Sequence, residues 1–393
     1  MYNSSHHKTA VRRMMPMELS HGGGSSGQIN PFEATADFES ASGALCADLI
    51  AALEIFEESQ RLFFPGIVPV LRERFGPLAE RLERSMARLR SIPCLPETNR
   101  LRNDLLEASA LCLDSLRLSV EVEYLEAFLA NFRKAVRRVN RAMEILYPLH
   151  GSLPIINRFF LEKPLREKDV DFIGPVAPAG RTGLQHVGAD QHPYARGSFS
   201  VFIPESYDES GPWPLVVALH GGFGHGRDFI WTWLREARSR RFLLVAPTSC
   251  GGTWSITGPD IDDEFLREVL RNITDRWNVD KKRILLTGLS DGATYLLKRA
   301  LDEESPFSAF ALAAGILPPF NLRHVRGRRI LWVHGARDWM FPLWYAKTGY
   351  KMLREAGADI TQEIVPDLYH AYPREKNDSI LNWFDPALAL PAP

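Results

Sequence analysis

Cysteine is scarce in this chain of 393 residues. The four that occur, Cys46, Cys94, Cys112 and Cys250, are scattered, with no CxxC pair and no histidines nearby at zinc-ligand spacing. That leaves no metal-site pattern and predicts buried free thiols in a reducing compartment. An excess of one charge is lacking as well. With 47 basic against 48 acidic residues, nothing favours a nucleic-acid groove or an anionic membrane surface. No run approaches the ~18 apolar residues of a membrane span. The N-terminus has Arg12 and Arg13 followed by methionine and proline in place of the apolar core of a signal peptide. These absences predict a cytoplasmic protein with no integral membrane segment and no nucleic-acid partner.

What is present divides the chain, whose length allows roughly two or three domains. Residues 1–38 mix Ser, His, Gly and Asn, including the run Gly22 to Gly27, and cannot bury enough apolar surface to offset chain entropy. They are expected to be a disordered leader, in which His6, His7 and His21 are solvated. Residues 39–165 turn to helical periodicity, rich in Leu, Ala, Glu and Arg. Leu71, Phe75, Leu78, Leu82, Met86 and Leu89 form one apolar stripe, and Phe128, Phe132, Val136, Val139, Met143 and Leu146 another. Prolines at 65, 69, 93 and 96 punctuate the segment, which predicts helices near 41–64, 70–91 and 98–147, the last one open to division. The segment reads as a cap, a lid, an oligomerisation module that joins copies of the chain, or a bundle that merely covers its neighbour. Its basic cluster, Arg133, Lys134, Arg137, Arg138 and Arg141, reads as a solvated helix face.

A linker over 166–181, with Gly174, Pro175, Pro178 and Gly180, leads into strand signals that fill 182–393. Residues 182–187 and 198–203 look like an antiparallel entry pair. Buried strands are then expected at 215–219, 242–246, 284–286, 330–333 and 361–365, with helices such as 260–277 and 343–356 between them. Strands alternating with helices predict an α/β fold with a mostly parallel sheet covered on both faces, preceded by the all-helical segment.

One stretch organises this region. Ile284-Leu285-Leu286 form a short apolar strand, Gly288-Leu289-Ser290-Asp291-Gly292 follow, and Ala293 to Ala300 can continue as helix. Two glycines around a serine let strand and helix approach closely and push the Ser290 hydroxyl out above the sheet edge, the pattern of a nucleophile elbow. A serine hydroxyl needs a base to take its proton and a carboxylate to orient that base. Asp338 follows a strand and a glycine turn, and is the candidate acid. His370 follows the last predicted strand by a short loop, and is the candidate base. Negative charge on the reacting carbonyl oxygen calls for backbone N–H donors, for which the amides of Asp291 and Gly222 are the candidates.

Each assignment has a competitor. His334 and His220 lie directly at strand ends, where a histidine commonly buttresses a loop. Asp367 stands three residues before His370 and would have to fold back on its own loop to serve as acid. The Asp291 side chain is placed to help cap the following helix. Phe223, Trp254, Trp339, Phe341 and Trp344 are candidates to line an acyl or aromatic pocket.

The motifs in this order resemble the α/β-hydrolase superfamily, in the group of phospholipase/carboxylesterase and polyhydroxyalkanoate-depolymerase or feruloyl-esterase-like serine esterases. They are Pro214 to Gly222, Asp280 to Gly292, Val333 to Asp338 with Phe341 and Pro342 behind, and Leu368 to Pro373. The order Ser, Asp, His is also that of the superfamily. The resemblance implies a metal-free, cofactor-free serine esterase that cleaves a small-molecule or lipid ester through an acyl-enzyme, with Ser290, Asp338 and His370 as its triad. Asp291 departs from the group, where an uncharged residue is frequent. The helical segment has no match in it, and nothing before residue 165 repeats as the blades of a prolyl-oligopeptidase-like peptidase. A peptidase or thioesterase of the same fold, and an inactive scaffold acting through its helical part, are the alternatives.

Overall fold

The computed structural model describes residues 31–93, 96–121, 124–167, 181–188 and 192–390. The leader up to residue 30, Cys94 and most of the 166–181 linker lie outside the described residues. Four long helices come first: α1 (Pro31–Ser59), α2 (Val68–Ser91), α3 (Asn99–Leu118) and α4 (Leu125–Leu146). The expected division of 98–147 falls between α3 and α4. The expected leader, however, ran too far. Helix α1 begins at Pro31, because Phe38, Ala41 and Leu45 continue the buried stripe of its later turns, and a helix that buries that face is stabilised over its whole length. Two short helices, α5 (Pro154–Phe159) and α6 (Lys163–Arg166), finish this part.

The rest is one eight-stranded sheet of order β1-β2-β4-β3-β5-β6-β7-β8. Its strands are β1 (Gly183–Val187), β2 (Phe199–Ile203), β3 (Trp213–Leu219), β4 (Leu243–Pro247), β5 (Val279–Leu289), β6 (Ala309–Ala313), β7 (Arg329–Gly335) and β8 (Asp359–Val365). Only β2 runs against its neighbours; β4 through β8 pair in parallel. Between them lie α7 (Gly226–Phe229), α8 (Leu234–Arg240), α9 (Ile261–Arg276), α10 (Asp291–Ala300) and α11 (Leu343–Glu355), and α12 (Asn377–Phe384) follows β8.

Strand alternation splits the core in two. Leu215, Val217 and Leu219 of β3, Leu286 of β5 and Trp332 of β7 pack with α9, α10 and α11 on one face. Val216 and Ala218 of β3, Leu285 of β5 and Leu331 of β7 face the other way, into one apolar cluster with α1 to α5, α8 and α12. The helical segment therefore shares its core with the sheet. Buried charges stitch the same seam: Arg235 reaches Glu57 at 2.6 Å, Arg240 reaches Glu162 at 2.6 Å, and the Arg238 guanidinium donates to Asn157.

Cys46 and Cys112 are free and buried, and burial pushes their thiols up, to about 11 and about 12. Among the described residues no helix is long and apolar enough to cross a membrane.

Candidate active site

Strand β5 ends at Leu289, and Ser290 makes the turn into α10. Its backbone stands at φ 55° and ψ −117°, which side-chain-bearing residues rarely adopt. The turn is held from both sides. The Ser290 amide donates to the Ala313 carbonyl at the end of β6, at 3.0 Å. On the helix side, a Cβ on Gly292 would stand 2.4 Å from the His220 carbonyl oxygen, and one on Gly288 2.8 Å from the Gly292 carbonyl carbon. Strand, turn and helix are thus packed at backbone contact, which is why glycine flanks the serine on both sides.

Strands β7 and β8 supply the partners. Gly335 ends β7 so close to the following loop that a Cβ would meet the Leu368 carbonyl oxygen at 2.2 Å, and the Arg337 amide donates to that same oxygen at 3.0 Å. This contact clamps the loop carrying Asp338 to the loop carrying His370. His370 Nδ1 lies 2.9 and 3.0 Å from the two Asp338 oxygens, and His370 Nε2 lies 2.9 Å from Ser290 Oγ. All three side chains are buried. Asp338 also accepts from the amides of Met340, at 3.0 Å, and Phe341, at 2.7 Å. The Phe341 ring meets the His370 imidazole edge-on, with centroids 5.0 Å apart. The structure therefore brings Ser290, His370 and Asp338 into one chain of hydrogen bonds, with the imidazole fixed by its acid and by an aromatic wall.

Of the competing residues, His334 lies beside the acid, its Nε2 3.6 Å from Asp338 Oδ2, but each of the three is engaged with other partners. His220 Nδ1–H donates to the Gly221 carbonyl at 2.7 Å and its Nε2 accepts from the Ser249 amide at 3.1 Å, so both ring nitrogens are engaged. Burial pushes its pKa down to about 3 and holds it neutral. His334 Nε2–H donates to the Phe341 carbonyl at 2.8 Å, and burial lowers its pKa too. Asp367 turns away from His370 to pair with Arg61 at 2.7 Å.

After β3 the chain passes His220-Gly221-Gly222-Phe223. The Phe223 amide donates to the Gly252 carbonyl at 3.1 Å and the Gly224 amide to the Gly221 carbonyl at 3.0 Å, while the Gly222 amide has no carbonyl partner among the described residues. Asp291 is the first residue of α10, where a helix leaves its N–H groups unpaired. Its side chain does not cap the helix as expected; the carboxylate accepts from the Thr253 hydroxyl at 2.6 Å.

The aromatic candidates separate. Phe223, with φ 59°, is 64% exposed. Trp254 is not in a pocket: it is 2% exposed, its indole stacks on Tyr295 at 5.4 Å and its N–H donates to the His220 carbonyl at 2.8 Å, so it props up the glycine loop from beneath. Trp339 is half-buried and Trp344 lies exposed against Tyr345. Sequence reasoning missed the turn between α1 and α2. The Arg61 carbonyl accepts from the Tyr369 amide at 3.2 Å, the Phe63 carbonyl accepts from the Trp339 indole at 2.7 Å, and the Phe64 ring stacks on Tyr369 at 5.4 Å. Nothing in the local sequence of that turn signals partners so far along the chain.

No family model matches the chain. Over 161 residues, 39% of its length, it is 27% identical to a bifunctional acetylxylan esterase/xylanase of Neocallimastix patriciarum, and it spans only 22% of that relative. Among solved structures it is similar to a thermostable esterase, at 19% identity and a TM-score of 0.38, over 46% of this chain and 52% of that one. It is also similar to the acetyl xylan esterase of Aspergillus awamori, at 16% identity and a TM-score of 0.43, over 51% and 98% of the two chains. The apo form of esterase 2 from Thermogutta terrifontis stands at 15% and 0.41, over 50% and 91%. With one reversed strand in an otherwise parallel eight-stranded sheet and a serine on the turn after β5, the chain has an α/β-hydrolase fold, and its likeness is to esterases.

Proposed function

We propose that the chain is a serine hydrolase that cleaves carboxylic esters through an acyl-enzyme on Ser290. The observation that carries this reading is the hydrogen-bond chain from Ser290 through His370 to Asp338, built on a strained strand-to-helix turn. His370 Nε2 takes the hydroxyl proton as Oγ attacks the ester carbonyl, and returns it to the leaving alcohol. It then takes a proton from water, whose oxygen attacks the acyl carbon, and gives that proton to Ser290 Oγ as the bond to the acyl group breaks and the acid leaves. Asp338 keeps the Nδ1–H tautomer and stabilises the imidazolium that forms. The amides of Gly222 and Asp291 are the donors to the oxyanion, each worth about 3 kcal/mol to the transition state in enzymes of this type.

The acetylxylan esterase named among the relatives makes a short acyl group on a sugar alcohol the first natural substrate to try, ahead of a phospholipid. The test is intact-mass spectrometry after treatment with a fluorophosphonate, beside turnover of 4-nitrophenyl acetate. One adduct that maps to Ser290, with adduct and turnover both absent in a folded Ser290→Ala variant, is the expected result. Turnover that survives in Ser290→Ala refutes the assignment. No adduct on folded wild-type protein would move the function to the helical part of the chain.

A further inference from the structure

The basic residues of α4 do not simply face water. Lys134, Arg137, Arg138 and Arg141 recur at helical spacing and line, with Arg227 and Tyr194 from across the gap, a cavity of about 510 Å³. Like charges gathered in one cavity repel unless they are balanced. Here the balance is incomplete. Arg137 faces Asp228 at 3.5 Å, Arg138 faces Asp114 at 3.8 Å, and Arg141 and Arg227 share Glu144 at 2.7 and 2.8 Å. Lys134 has no carboxylate partner among the described residues, so five cations meet three carboxylates. One of those three is weak: burial pushes the Asp228 carboxyl up to about 6 in spite of Arg137.

Two of the cationic groups are also held in place. The Arg137 guanidinium lies 4.0 Å over the Tyr194 ring, the Arg227 guanidinium 5.9 Å from the same ring, and the Tyr194 hydroxyl donates to Asp228 at 3.3 Å. Further positive charge lies next door. Arg133 sits 5.8 Å over the exposed Phe223 ring, and Arg196 donates to the Gly224 carbonyl at 2.9 Å, so positive charge continues from α4 to the glycine loop after β3.

We infer that this cavity binds a phosphate-bearing anion. A surplus of two positive charges matches a phosphate monoester, which carries about −1.5 to −2 at neutral pH, better than a single carboxylate. Guanidinium forks fixed on an aromatic ring are the donors that bind phosphate oxygens in pairs. The inference stands apart from the ester-cleaving reading, since it uses none of that site's residues.

Titration calorimetry on the full-length chain at low ionic strength, with inorganic phosphate as the probe, tests it. We expect one saturable site, unchanged when Ser290 is first blocked by a fluorophosphonate, and not competed by acetate. Lys134→Gln should weaken binding, and Lys134→Gln with Arg138→Gln should weaken it about tenfold or more, with an unchanged circular-dichroism spectrum. No saturable binding, binding lost on blocking Ser290, or equal affinity in wild type and the double variant overturns the inference. Two further probes separate the sources of the phosphate. Binding of glycerol 3-phosphate without sedimentation on phosphatidic-acid vesicles supports a soluble phosphate ester, whereas sedimentation that the double variant abolishes supports a lipid headgroup in the same site.

Discussion

Replacing Asp338 by asparagine changes one atom and, from the geometry of the loop, should remove almost all activity while sparing the fold. The Oδ1 of Asp338 accepts from two backbone amides, those of Met340 at 3.0 Å and Phe341 at 2.7 Å. An asparagine must keep its carbonyl oxygen there, because leaving both amides unpaired costs about 1–3 kcal/mol each. Its NH2 group then takes the place of Oδ2, 2.9 Å from His370 Nδ1. Two N–H groups cannot face one another at that distance, and Oδ1, 3.0 Å from the same nitrogen, already accepts from the two amides, so the imidazole shifts its proton to Nε2. That nitrogen lies 2.9 Å from Ser290 Oγ and could no longer accept the hydroxyl proton. A wrong tautomer of this kind lowers kcat roughly 10⁴-fold, or about 5 kcal/mol of transition-state stabilisation. Steady-state turnover of 4-nitrophenyl acetate and thermal denaturation, run on wild type, Asp338→Asn and Asp338→Ala, would measure both halves. Asp338→Asn should lose turnover with a nearly unchanged melting temperature. Asp338→Ala should lose turnover and also stability, by about 1–3 kcal/mol for an amide that water does not reach. A folded Asp338→Asn variant that keeps kcat within about tenfold of wild type would refute the reasoning.

Two further expectations concern the scaffold of the site. In Gly292→Ala the new methyl would meet two backbone oxygens, of His220 at 2.4 Å and Leu219 at 2.7 Å, and neither can rotate away. We expect a loss of about 1–3 kcal/mol in chemical denaturation together with lost turnover, since the same turn carries Ser290; wild-type values for both would contradict the packing argument. His220 is held neutral with its pKa pushed down to about 3, whereas an unfolded histidine titrates near 6.5. Below pH 6.5 the unfolded chain therefore binds more protons, and stability falls as pH drops toward 3, by at most about 1.4 kcal/mol per pH unit from this residue. His225, pushed down to about 4, adds to the same trend. Denaturation midpoints at pH 7, 6 and 5 should fall less steeply in His220→Gln than in wild type, and parallel slopes would show that another group sets the acid sensitivity.

The parts of the site that could be read in the sequence are those whose cause is local. Gly288 and Gly292 around Ser290 announce a close backbone approach, because only residues without a Cβ fit there, and the apolar run before them announces the buried strand. Strand β6 was not legible. Ala309-Phe310-Ala311-Leu312-Ala313 has little strand propensity, and it is a strand only because β5 and β7 pair with it on either side. Trp254 illustrates a different limit. An aromatic near a glycine loop is visible in sequence, but whether it lines the pocket or supports the loop depends on which side it approaches from, and the bond from its indole to the His220 carbonyl decides that. The start of α1 was obscured by the low-complexity run upstream, which masked a stripe that begins with Phe38.

The helical segment is where sequence and structure part most, for a physical reason that bears on the site. Asp338 and His370 sit on loops at the ends of β7 and β8, next to the edge of the sheet, where among the described residues β8 has no further strand beside it. The sheet holds them through the contact of Gly335 with Leu368 and through the Ala336 and Arg337 amides, which donate to the Val365 and Leu368 carbonyls at 2.9 and 3.0 Å. The turn between α1 and α2 adds contacts from the other side. It takes the indole proton of Trp339, the residue after Asp338, and the amide proton of Tyr369, the residue before His370. Arg61 adds ion pairs to Asp367 and Glu375, but these are partly exposed and worth about 0–1 kcal/mol each. More holds the turn through its aromatic side: Phe63 lies 5.0 and 4.3 Å from Phe128 and Phe132 of α4, so α4 presses the turn onto both loops. The bond from Trp339 to Phe63 joins residues 276 positions apart, which no periodicity could reveal. A helical layer that shares the sheet's core and steadies the two loops holding Asp338 and His370 belongs to the site itself.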